Sequence, residues 1–92
     1  MLQLFKISGD SLFPLYKHGQ RVLCRKVFQK TPINVHDTVI FQKEQYGLMI
    51  KKVTSVNVSG YFVEGTDPLS LDSRNFGIIP HNKVHYKVLF GF

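Results

Sequence analysis

The 92 residues include no alanine, no tryptophan and a single cysteine, and each absence narrows what the chain can be. Alanine is the best helix former, so its absence argues against a helical protein and for a β fold. One cysteine, Cys24, excludes an internal disulfide and fits a reducing compartment. No stretch approaches the ~18 to 20 apolar residues that span a bilayer. The first residues, Met1 to Lys6, are too short and too polar for a signal peptide. The reading is a soluble cytoplasmic protein, or a soluble core cut from a membrane-anchored one. Acidic residues are also scarce. Six carboxylates face twelve lysines and arginines, a net charge of +6. That balance favours acidic partners or a solubilising surface. The four histidines do not converge. His81 and His85 flank a turn and a strand, so no metal site is read.

What is present is a series of short β-branched and aromatic runs, broken by Gly, Pro, Asn and Asp. Strands are expected at 2–7, 21–28, 37–42, 48–58, 61–64 and 84–90. A turn is expected at 9–19, a tight hairpin at Ser59-Gly60 and a polar loop at 65–77. With 43% apolar residues the chain can bury a core, and it reads as one domain over residues 1–92. The expected fold class is all-β, a small, twisted, partly open β-barrel.

Three segments carry candidate chemistry. Ser11 lies in Ser8-Gly9-Asp10-Ser11-Leu12-Phe13-Pro14, a Gly-marked strand end closed by proline. Lys51 lies in Leu48-Met49-Ile50-Lys51-Lys52-Val53, an otherwise apolar strand. A serine hydroxyl needs a base to take its proton, and a lysine serves only where burial lowers its pKa. Alternation puts Met49, Lys51, Val53 and Ser55 on one face and Ile50, Lys52, Thr54 and Val56 on the other. Both faces are part apolar, so either lysine can point inward. In the third segment, Ser70-Leu71-Asp72-Ser73-Arg74, Asp72 and Arg74 are placed to pair and fix a loop. Each feature also has a plainer reading: a turn or capping serine, a solvated strand lysine, an ordinary polar loop.

Taken in order, the segments resemble the signal peptidase and LexA-like superfamily of Ser/Lys proteases. Gly9 to Pro14 is similar to the nucleophile box, and Ile50-Lys51-Lys52-Val53 to the lysine strand. Gly19-Gln20-Arg21-Val22 and His36 to Phe41 look like degenerate copies of a Gly-Asp-x-Val element. Ser70 to Pro80 is similar to the Ser-x-Asp-Ser-Arg box of the signal-peptidase branch. The resemblance implies Ser11 as nucleophile, Lys51 as general base and Ser70 as the residue orienting the lysine. It implies Asp72 and Arg74 as a structural ion pair, with Asp10 and Leu12 flanking the nucleophile, and no cofactor or metal. The implied partner is a peptide bound as an extended strand and cut in trans, as by small soluble members such as nickel superoxide dismutase maturation proteases. The family favours small residues, often alanine, before the cut, and this chain has no alanine for cutting itself. It departs from the pattern at Leu12 (usually methionine), Lys52 (usually arginine) and Thr66 (usually aspartate). Two other readings stand beside it. One is a relative without activity. The other is a basic β-barrel that binds nucleic acid through Phe5, Phe28, Phe41, Tyr46, Tyr61 and Tyr86.

Overall fold

A computed structural model describes residues 1–9, 12 and 15–92. Six strands form one antiparallel sheet: β1 (Leu2–Lys6), β2 (Arg21–Lys26), β3 (Thr38–Lys43), β4 (Gly47–Asn57), β5 (Gly60–Glu64) and β6 (Val84–Gly91). Its strand order is β1-β2-β6-β3-β4-β5. The all-β expectation holds. The sheet does not close into a barrel, because β1 and β5 are its two edges and do not pair. Among the described residues no helix is long and apolar enough to cross a membrane.

Alternating side chains build a core on each face. One holds Val39, Phe41, Val53, Tyr61, Val63 and Val84 from the strands, with Val27, Ile33 and Ile79 from the connecting segments. The other holds Ile7, Val22, Cys24 and Ile40, with Phe5, Ile50 and Tyr86 packed against them. Each fully buried Val or Phe contributes roughly 1.5–3 kcal/mol. Phe5 belongs to β1 and Ile50 to β4, with three strands between them in the sheet order, yet they share this second core. The sheet therefore curls around it, bringing the end of β1 toward the start of β4.

The register also shifts where β6 meets β2 and β3, and two features nearer Lys51 differ from the alternation read in the sequence. In the β4–β5 pair the register runs Val53↔Val63, then Ser55↔Phe62, so Thr54 is an extra residue, a β-bulge. Beyond it the faces exchange. Ser55 leaves the Lys51 face, and Val56 pairs with Tyr61. The expected polar loop also contains a one-turn helix, α1 (Ser73–Phe76). Its N-cap Asp72 and Asn75 form a reciprocal capping box.

Gly60 carries the β4–β5 hairpin. Its φ is +140°, and the chain packs directly on Ile79, whose N–H and C=O bond Tyr61. A Cβ at Gly60 would strike the Ile79 carbonyl group and lie 2.9 Å from the Pro80 Cα. Gly60→Ala is expected to cost ~3 kcal/mol, from backbone strain plus collision. A urea-unfolding midpoint close to the parent's would contradict that close approach.

Candidate functional site

β4 settles which lysine turns inward. Lys51 pairs with Val39 and Met49 with Phe41, so Lys51 shares the face of the first core. It is only 4% exposed, whereas Lys52 is half-buried and pairs with Glu64. Burial pushes the Lys51 amine below its ordinary value. The Asp72 carboxylate opposes this, the Arg74 charge reinforces it, and Asp67 opposes it more weakly. Among the described residues the amine has no hydrogen bond or ion pair. It is a desolvated lysine that gives up its proton more readily than an ordinary one, the direction a general base requires.

Ser11 and Asp10 lie outside the described residues. The segments on either side of them are well placed. Ile7 donates its N–H to the Gln20 carbonyl (2.7 Å) and accepts from the Gly19 N–H (2.8 Å). The Gly9 N–H donates to His18 Nδ1 (2.8 Å). Leu12 is 2% exposed, and its carbonyl accepts from the Tyr16 N–H (3.0 Å). The apolar residue after the expected nucleophile thus serves as a buried anchor. A cavity of about 440 Å³ lies between these elements, lined by Phe5, Ile7, Ser8, Tyr46, Ile50 and Lys51, among others. Ser8, three residues before Ser11, and Lys51 line the same cavity.

The third segment forms a rigid block. Asp72 is fully buried and accepts from Arg74 Nη2 (2.6 Å), Arg74 Nε (3.0 Å), the Arg74 N–H (3.0 Å) and the Gly65 N–H (3.0 Å). Arg74 also reaches Glu64 (3.5 Å), and the Ser73 hydroxyl accepts from the Val63 N–H (2.8 Å). The expected ion pair is present and bidentate. Ser70 is a different matter. Its hydroxyl donates to the Asp67 carbonyl (2.8 Å) and lies 3.4 Å from Asp72 Oδ2. No hydrogen bond joins Ser70 to Lys51; the hydroxyl serves the loop's own turn instead. Sequence reasoning missed the role of Ser73, which ties α1 to β5. The only signal was its place next to the capping Asp72.

Burial raises the Asp72 pKa, but the bonds from Arg74, Gly65 and the Arg74 backbone outweigh it and hold the group down to about 2. Its ordinary value is 3.8. A carboxylate depressed on folding stabilises the fold above its unfolded pKa and loses that contribution as pH falls through the folded one. Asp72 is therefore expected to contribute ~2 kcal/mol above pH ~4, lost between about pH 4 and 2. Urea midpoints measured from pH 7 to 2 should show this loss. Asp72→Asn should flatten it.

Cys24 is no competing nucleophile. It is buried, and burial pushes its thiol up to about 11. The aromatics expected of a nucleic-acid platform are mostly structural. Phe41 and Tyr61 are buried, and the rings of Phe5 and Tyr86 pack edge to face with centroids 5.0 Å apart. Among the described residues no cluster of His, Cys, Asp or Glu is arranged to hold a metal ion. Compared with known proteins, the chain matches no family model and no curated sequence.

Proposed function

We propose that this chain is a serine endopeptidase of the signal-peptidase and LexA-like kind, with Ser11 as nucleophile and Lys51 as general base. The observation that carries the reading is Lys51 itself: a lysine desolvated within an apolar strand, lining the same cavity as Ser8. Structural lysines reach solvent at their tips, and this one does so hardly at all. The curled, open sheet is read as a minimal form of that family's catalytic core.

The chemistry follows from the groups. Neutral Lys51 accepts the Ser11 hydroxyl proton as the oxygen bonds the scissile carbonyl carbon. The resulting ammonium returns that proton to the departing amine, leaving an acyl-serine. Lys51 then takes a proton from water, whose oxygen attacks the ester carbonyl, and returns it to Ser11 Oγ as the ester C–O bond breaks and the acid is freed. The Asp72–Arg74 block fixes the electrostatic surroundings of the amine. The substrate lies extended beside β4. β5 pairs with β4 only from Lys52 to Asn57, so Leu48 to Lys51 have no β5 partner on that side.

The test is cleavage of an unstructured protein by the full chain, followed by mass spectrometry. Ser11→Ala is expected to abolish cleavage with the melting temperature retained. Undiminished cleavage by that variant would overturn the proposal. Because the neutral amine is the active form, the rate should rise with pH through a value below lysine's ordinary 10.5.

A further inference from the structure

We propose that the face of β1, β2 and the end of β6 away from the second core is a docking surface for an anionic lipid bilayer. Cross-strand partners share a face, so the register defines its layout. Leu4 pairs with Leu23, and Leu23 with Phe90, which gives an apolar row across three strands. On one side Lys6 pairs with Arg21, which exchanges backbone hydrogen bonds with Phe92. On the other side Leu2 pairs with Arg25 and Arg25 with Lys87. Leu2, Leu4, Phe90 and Phe92 are each more than half exposed. β1, β2 and β6 contain no aspartate or glutamate. Lys87 turns to Asp37 at 3.7 Å, while Lys6, Arg21 and Arg25 have no carboxylate partner among the described residues.

An apolar stripe between cations, on strands that contribute no carboxylate, is the pattern of an interfacial binder. The apolar side chains enter the boundary between headgroups and acyl chains, and the cations reach lipid phosphates. Two other occupants fit less well. A second copy seated on this face would set its cations against identical cations, with no carboxylate between them. Single-stranded nucleic acid needs separate aromatic platforms. Here three of the apolar side chains are leucines, without a π face, and the Phe90 and Phe92 rings pack on each other at 5.9 Å. This inference is independent of the proposed protease chemistry.

The experiment is co-sedimentation of the full chain with mixed phosphatidylcholine–phosphatidylglycerol vesicles and with phosphatidylcholine alone. Binding to the mixed vesicles only is expected, and it should weaken as salt is raised. Arg21→Gln with Arg25→Gln should reduce it about 25-fold, taking about fivefold per charge. Leu4→Ser with Phe90→Ser should reduce it ~10-fold or more. Should that pair prove unstable, Leu4→Trp keeps the apolar character and is the only tryptophan in the chain. Its fluorescence should shift to the blue on anionic vesicles. An unshifted spectrum, or sedimentation indifferent to the Leu4/Phe90 pair, would overturn the proposal. So would absence of vesicle binding together with oligonucleotide binding or self-association that these variants remove.

Discussion

Lys51→Met is expected to abolish peptide cleavage and raise the melting temperature in the same molecule. The two effects share one cause. Met49 and Val53 flank Lys51 on its face, and the space was built for an unbranched side chain. Methionine fills it without a charge to desolvate. Removal of a positioned general base typically costs ~10²–10⁴-fold in rate. Relief of the buried charge is worth ~1–2 kcal/mol, by analogy with buried ionic groups replaced by apolar ones. In a chain of this size that is ~5–10 °C. The pH dependence gives a further check. The folded chain releases the Lys51 proton below 10.5, so between the folded value and 10.5 the unfolded chain binds more protons. Stability should rise with pH across that window in the parent and lose this rise in Lys51→Met. A variant that still cleaves would remove Lys51 from the mechanism. One that melts lower would show the lysine to be structural.

Asp72→Ala is expected to be the most damaging single substitution in the 65–77 segment, costing ~3 kcal/mol or more. The carboxylate gathers the Gly65 N–H, the Arg74 N–H and both reaching atoms of the Arg74 guanidinium. Without it the two N–H groups lose their acceptor, α1 loses its cap, and Arg74 keeps only Glu64 and the Asp67 carbonyl beside it among the described residues. The melting temperature should fall by ~12–24 °C. Asp72→Asn keeps an acceptor at the cap and loses the charge, so it should be milder. In both variants the larger of the two attractions that favour the Lys51 ammonium is gone. The rise of rate with pH should then move to lower pH. A melting temperature within a degree or two of the parent's for Asp72→Ala would refute this account of the block.

The strands could be read from the sequence because β-branched and aromatic runs between turn residues are local signals. Their order could not. β6 sits between β2 and β3, pairing residues 60 to 69 positions apart with β2 and 43 to 48 apart with β3, which no local pattern encodes. The inward lysine was undecidable for a related reason. Met49-Lys51-Val53 and Ile50-Lys52-Thr54 are similarly apolar on alternation, and only the register with Val39 and Phe41 separates them. The bulge at Thr54 left no mark either, since neither glycine nor proline stands there. Helix α1, at four residues, is too short for a helical period, but Asp72 followed by Asn75 three residues on is a capping pattern and was its one legible sign. The Asp72–Arg74 pairing was legible because two residues of spacing in a loop suffice for a fork-to-carboxylate contact.

The central place of β6 also sets when the site can exist. Remove that strand and the sheet separates into β1-β2 and β3-β4-β5. Ile7 and Ser8 follow β1, and Lys51 belongs to β4, so the two walls of the cavity fall in different fragments. On a ribosome the chain emerges from its N-terminus, with Ser11 and Lys51 both made well before Val84 to Gly91. Until β6 lies between the halves, nothing in the sheet holds the Ser8 and Lys51 walls of the cavity together. The nascent chain carries both walls well before the strand that joins them is made.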